Sequence, residues 1–452
     1  MSALVASCRQ YVANKGVAGL LRDAGLVAVA IAPLWLCRNG SASTPLKIAA
    51  CVCAAVLCAL VDRALWRRLT LQPLLRRSLA FALGLGVAWL LLRNSLEARL
   101  WIIDDHEIPD SIAVGKVSTL SGLWHMLGSH REIGSPPWSY PRYRPSYYTL
   151  RYIETYLWGL DAGYWYLVRL LLVGVSFALA WQALLLVAGP AQASLTLLFA
   201  LGAPFWGDVL CRLGPSEQYA MLGCALFVYG ASISLRELEG GRDAPLRHWC
   251  LAALGSVIAV GSKENFVFIP GLLVLLTAVA AYRGRLSRSR AWISALALSY
   301  AAWVVLVVIV SVRRHGATVY GKDASLGSAP TLAFEGVAAL YFSLAGWILP
   351  GLLGAAACVV YRRSPGFQRR FAALAVGLAL LAGVYALQVV VYKGQIADNM
   401  RYAFPAGLIG TLVVSLAFAA LRWEAAASAL PQRWLRALDA VLLATATYLV
   451  AT

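Results

Sequence analysis

The sequence predicts an all-α, polytopic membrane protein: a bundle of about 12–13 transmembrane helices with one large extracytoplasmic loop carrying interfacial helices. Three observations predict it. Hydrophobic residues make up 60% of the 452-residue chain and charged residues only 13%, where soluble domains carry roughly a quarter charged. The apolar runs are many and long, which favours helices over a β-barrel. Arginines cluster in alternate loops, as the positive-inside rule requires of a multi-span chain.

At roughly 20 residues per span, the apolar runs predict helices near 17–37, 47–64, 78–101, 164–188, 192–209, 218–235, 249–262, 265–282, 291–312, 336–360, 371–392, 403–421 and 437–452. Residues 1–77 then read as additional N-terminal helices before the large loop, within a single membrane domain over 1–452. No cleavable signal peptide is expected, because no A-x-A-like site separates the first apolar run from the next.

Sidedness follows from the loops. Arg63, Arg67, Arg68, Arg76 and Arg77 precede the third span. Arg236, Arg242 and Arg247 follow the sixth, and Arg283, Arg285, Arg288 and Arg290 the eighth. Further arginines recur at 362–370 and 422–436. These loops and the N-terminus are expected to be cytoplasmic. The same clustering accounts for the net charge of +18 without a nucleic-acid partner. The nine cysteines show no CxxC or Cys/His metal spacing, so neither a disulfide framework nor a zinc site is expected.

The remaining loops fall on the opposite face and hold most other charges. The largest, 102–163, opens with Trp101-Ile-Ile-Asp-Asp-His-Glu-Ile-Pro-Asp110. A charged side chain costs about 2.5–3.5 kcal/mol at a helix centre in a bilayer, so this acidic cluster belongs at headgroup level or in a wet cavity. Asp104, Asp105 and Glu107 are candidate catalytic carboxylates: a general base must sit where an acceptor hydroxyl can reach it. An alternative is a solvated loop start, with Asp110 and Ser111 capping the next helix. His106 beside these carboxylates leaves a divalent metal open.

Within the loop, Ala113, Val117, Leu120, Trp124 and Leu127 share helical spacing, as do Tyr147, Leu150, Ile153 and Leu157. Both predict amphipathic interfacial helices. Between them runs the proline-rich, aromatic Gly134–Pro145 stretch with Arg142 and Arg144. Those arginines are candidate site residues; the aromatics also suit plain interfacial anchoring.

Three short outer turns add candidates. In Gly214-Pro-Ser-Glu217-Gln-Tyr, Ser216 reads as a helix N-cap with Glu217 in the first turn, or with Glu217 facing a substrate hydroxyl. In Gly261-Ser-Lys263-Glu264-Asn, Lys263 suits a phosphate as a point charge, against a plain Lys-Glu turn. In Asp398-Asn-Met-Arg401-Tyr402, the planar guanidinium of Arg401 suits bidentate phosphate binding, against interfacial snorkelling. There is no P-loop, GxSxG, HExxH or dinucleotide fingerprint.

Taken in order, these motifs resemble the polytopic glycosyltransferases of the GT-C superfamily, over residues of about 78–405. The resemblance rests on Asp104-Asp105-His106-Glu107 in a large outer loop, Arg142-Tyr-Arg-Pro-Ser-Tyr-Tyr at its end, the Lys263-Glu264 turn and Arg401-Tyr402-Ala-Phe-Pro405. It implies transfer of a sugar from a polyprenyl-phosphate donor to a glycan, lipid or protein hydroxyl on the extracytoplasmic face of a bacterial inner membrane. Asp105 or Asp104 would be the base, with Arg401, Lys263, Glu264, Glu217, Tyr402, Arg142, Arg144 and His106 binding substrate. The lipid-phosphate sugar is then a co-substrate, and no cofactor beyond a divalent metal is in question. Two departures are visible. The acidic loop follows the third predicted span rather than the first, and no large soluble C-terminal domain of the oligosaccharyltransferase type is expected. A lipid-linked glycan polymerase or ligase, and a transporter or flippase, are the alternative readings.

Overall fold

The computed structural model describes residues 73–92, 95–96, 99–100, 108, 119–129, 143–188, 193, 206–210, 212–214, 216–315, 330–331, 333–334, 401 and 404. Contacts divide the chain into two compact units, Met1–Pro73 with Ala425–Thr452, and Leu74–Glu424. The elements below belong to the second.

Among the described residues all regular structure is helical. In chain order the helices are α1 (Pro73–Leu92), α2 (Leu120–Ser129), α3 (Pro145–Trp158), α4 (Ala162–Ala188), α5 (Trp206–Leu210), α6 (Glu217–Glu239), α7 (Leu246–Ser262), α8 (Phe268–Tyr282) and α9 (Arg288–His315). A 3₁₀ turn, Glu264–Phe266, precedes α8. Four segments are long and apolar enough to cross a membrane: Ala162–Leu186, Glu217–Glu239, Glu264–Tyr282 and Arg288–Val310. They match the predicted spans 164–188, 218–235, 265–282 and 291–312 to within a few residues. The chain is an α-helical membrane protein. Its outward surface agrees, because Leu254, Leu275, Leu296, Trp303 and Leu306 are about half exposed or more, as lipid-facing side chains should be.

The bundle centres on the antiparallel pair α6 and α7. Small residues let the two backbones approach, as in many membrane helix pairs. A Cβ added at Gly223 would lie 2.7 Å from the Gly255 carbonyl and 2.5 Å from the Ala259 amide. One added at Gly255 would meet the backbone of Gly223 and Phe227. Hydrogen bonds tie α8 and α9 to this pair: Trp249 Nε1 donates to Ser294 Oγ at 3.0 Å, and Ser294 also meets Thr277 Oγ1 at 3.0 Å.

The structure settles which sides of the two described loop helices are buried. In α2 the described part of the predicted stripe divides: Leu120 and Trp124 are exposed, while Leu127 is half-buried and joins Leu123 and Met126 against Tyr147 and Tyr148. In α3 the stripe itself divides. Tyr147 is buried, but Ile153 and Leu157 are exposed. The buried face is Tyr147, Tyr148, Arg151, Glu154 and Thr155. Apolar periodicity finds the interfacial stripe but does not say which side faces lipid; a helix in lipid can turn apolar side chains outward and its charges inward. Pro145 starts α3 at a position where its missing N–H costs nothing. Gly159, at φ +54°, ends it, its amide bonding the Thr155 carbonyl.

Candidate functional site

Three chain breaks meet at one end of the bundle. α6 begins at Glu217, α7 ends at Ser262, and α3 begins just after Arg144. Glu217 is 1% exposed and Lys263 2%, and the two form a direct ion pair. A buried pair of this kind holds only while both partners are present. Removing one strands a charge and typically costs about 3–5 kcal/mol.

Lys263 and Glu264 are adjacent yet do not pair with each other. Lys263 is extended, at φ −153° and ψ 128°, and Glu264 begins the 3₁₀ turn. Their side chains therefore diverge. Glu264 receives Arg144 as a fork, with Nε to Oε2 at 3.1 Å and Nη2 to Oε1 at 3.3 Å. That geometry fixes orientation as well as charge. The loop end carrying Arg144 is anchored on both sides. Ser146 Oγ meets Tyr300 Oη at 2.7 Å and the Val257 carbonyl at 3.0 Å, and Trp303 Nε1 donates to Tyr143 Oη at 3.2 Å. Any side chain at Gly261 would collide with Ser146 and Tyr300.

Arg401 joins the same region. Phe404, fully buried, packs at a tilt against Phe266 with ring centroids 6.0 Å apart and edge-on against Trp206 at 5.6 Å. Burial pushes the Lys263 ammonium down to about 8; Glu217 opposes this, and the charges of Arg144 and Arg401 add to the lowering. Five residues singled out in the sequence, Arg144, Glu217, Lys263, Glu264 and Arg401, thus belong to one electrostatic cluster. Asp104, Asp105, His106, Glu107, Arg142 and Tyr402 lie outside the described residues. Among the described residues no group of three His, Cys, Asp or Glu side chains could hold a metal.

Ser216 is not the hydroxyl cap expected of it. It occupies the N-cap position in a helical conformation, at φ −72° and ψ −11°, and its side chain makes no cap bond. Its Oγ is buried without a hydrogen-bond partner, as are Ser262 Oγ and both amide atoms of Asn265. A buried, unsatisfied polar group costs about 1–3 kcal/mol, so this grouping beside the ion pair is notable.

A second charged network adjoins the first and escapes the sequence reading. Glu154 accepts a bidentate pair from Arg169, at 3.0 and 2.8 Å, and a further bond from Tyr219 Oη. The Arg169 guanidinium also lies 4.2 Å from the Tyr219 ring centroid. Arg151 Nη2 donates to the Leu213 carbonyl at 2.7 Å and to Tyr147 Oη at 3.0 Å. Tyr147 Oη in turn donates to the Gly214 carbonyl at 2.9 Å. These bonds clamp α3 onto α4 and onto the turn before α6. One signal was available: Arg169 interrupts an otherwise apolar run, and an ionisable residue inside a span is a functional candidate by default. Arg169 lies seven residues into α4, about 10 Å from its start. Both networks therefore stay near one end of the bundle.

No protein-family model matches the chain, and no curated protein or solved structure matches it either. The fold and site alone define the class: an α-helical membrane protein with a buried, mixed-charge cluster at one end of its bundle.

Proposed function

We propose that the protein is a GT-C-type glycosyltransferase that moves a sugar from a polyprenyl phosphate to an acceptor hydroxyl on the extracytoplasmic side of a bacterial inner membrane. One observation carries the reading. Arg144, Glu217, Lys263, Glu264 and Arg401 come from four separate stretches of the chain and converge at one end of the bundle. By the arginine distribution, that end is the face opposite the basic loops. A transporter is expected to set its polar site nearer the midplane, in broken helices.

In this mechanism the lipid tail lies between helices and the phosphate sits against Arg401 and Lys263. Lys263, paired with Glu217, would serve the phosphate as a point charge beside Arg401. Asp105 or Asp104 removes the acceptor hydroxyl proton as that oxygen bonds to the sugar C1. The bond from C1 to the phosphate oxygen breaks, and the electron pair leaves on the phosphate. A single displacement inverts C1, and the cations stabilise the growing negative charge.

The test is transfer of labelled sugar from a polyprenyl-phosphate donor by the purified full-length protein in lipid. Asp104→Asn and Asp105→Asn are made singly and together, and loss of the base is expected to lower the rate by about 10²–10⁴. Undiminished transfer by the double variant removes the assignment. Movement of lipid across the bilayer without a new glycosidic bond favours the flippase alternative instead.

A further inference from the structure

Resting on the glycosyltransferase reading above, we propose that Ser216, Ser262 and Asn265 form the subsite that binds the hydroxyl groups of the donor sugar. Each lies one residue from a charged member of the site: Ser216 beside Glu217, Ser262 beside Lys263 and Asn265 beside Glu264. The direct contact of Glu217 with Lys263 joins the two distant segments that carry these residues. Ser216 is 2% exposed and Ser262 is fully buried. Their hydroxyls, and both amide atoms of Asn265, find no partner in the protein. A buried polar atom without a partner calls for an explanation, and a bound molecule that completes its bonding is one.

The chemistry of the set chooses that molecule. A phosphate wants cations, which this region supplies separately in Lys263, Arg144 and Arg401. A sugar hydroxyl both donates and accepts, and so do a serine hydroxyl and an asparagine side chain. A sugar joined through its C1 oxygen is covalently adjacent to the phosphorus. A phosphate seated at Lys263 therefore carries its sugar to the neighbouring residues.

The experiment measures binding to the full-length protein in lipid nanodiscs. The probes are undecaprenyl phosphate alone and the same lipid carrying glucose, mannose, N-acetylglucosamine or arabinose. The wild type is expected to bind at least one sugar-bearing lipid more tightly than the bare one. Ser216→Ala, Ser262→Ala and Asn265→Ala should each cut that preference by about three- to tenfold, leaving affinity for the bare lipid unchanged. Thermal midpoints of the ligand-free variants should hold or rise, because an unsatisfied polar group is removed.

Three results overturn the subsite: the wild type binds the bare lipid with no preference for any sugar, the triple variant keeps the full preference, or the alanine variants lower the ligand-free midpoint. The last would mean that these atoms serve structure through ordered water. Failure of the wild type to bind any of these lipids, bare or sugar-bearing, is a different outcome. It removes the glycosyltransferase reading itself, and this subsite with it.

Discussion

The two ends of the helix bundle use the same ion-pair chemistry in opposite ways. At one end Glu217–Lys263, Arg144–Glu264 and Glu154–Arg169 have all six side chains no more than 18% exposed. At the other, Arg242 pairs with Glu237 at 2.6 Å with Arg242 68% exposed. There Asp243, 59% exposed, stands 3.6–3.7 Å from Arg285 and Arg290. Water and headgroups can solvate Arg242, Asp243 and Arg285, so those pairs contribute little; Arg290 is the buried exception, donating to the Ala244 and Arg285 carbonyls. The first set has little access to solvent, so each charge depends on its partner. An exposed arginine at the basic-loop end, such as Arg242, chiefly orients the chain in the bilayer. One at the buried end needs a specific position, and that is a property of a site.

The comparison is most easily broken at the buried pair. Glu217→Gln or Lys263→Met should each destabilise the protein by about 3–5 kcal/mol, and the double variant should recover much of the loss. Chemical unfolding in detergent micelles reads this directly. If the single variants cost no more than a change at Glu237, the two ends are equivalent and the distinction fails.

A control lies between the ends. Gly255→Val forces a side chain into the α6 backbone and should cost about 1–3 kcal/mol by overpacking, with no change in how stability responds to pH between 7 and 9. A pH response that moved with this variant would mean that packing, not charge, governs the buried end.

The charge of Lys263 sharpens the comparison by pH. Burial lowers it to about 8, so the cation is present below that pH and is lost as pH rises through it. Affinity for undecaprenyl phosphate should fall by about tenfold between pH 7 and 9, as the protonated fraction drops. Lys263→Arg, which stays charged, should flatten the profile. An unchanged profile in that variant would assign the titration to another group.

The smallest effect is expected at the basic-loop end. Glu237→Gln should change stability by about 0–1 kcal/mol, and added salt should shrink even that. A larger, salt-independent loss would show that this end is also built around a specific pair.

The helices themselves were legible in the sequence. The spans 164–188, 218–235, 249–262, 265–282 and 291–312 correspond to observed helices because a membrane span is a local property of about 20 consecutive residues. Five members of the charged cluster were legible for a related reason: charge is costly in lipid, so Arg144, Glu217, Lys263, Glu264 and Arg401 stand out one at a time. Their partners did not. Glu217 finds Lys263 across 46 positions and Arg144 finds Glu264 across 120, while the obvious neighbours Lys263 and Glu264 turn away from each other. Arg151 and Glu154 do not stand out in the sequence because a helix with Tyr147, Leu150, Ile153 and Leu157 reads as an ordinary amphipathic stripe, and Tyr219, on α6, carries no charge to mark it. Nothing in that spacing says which side faces lipid.

The sequence by itself determined that this chain is a helical membrane protein, where its principal helices run and which turns carry exposed or costly charge. Each of these follows from local hydrophobicity and from the price of a charge in hydrocarbon. The tertiary structure alone decided which charges meet, which face of α3 is inside, and that the hydroxyls of Ser216 and Ser262 and the amide atoms of Asn265 are buried with their bonding unmet. Those depend on contacts between residues far apart in the chain, and periodicity along one helix carries no record of what packs against it.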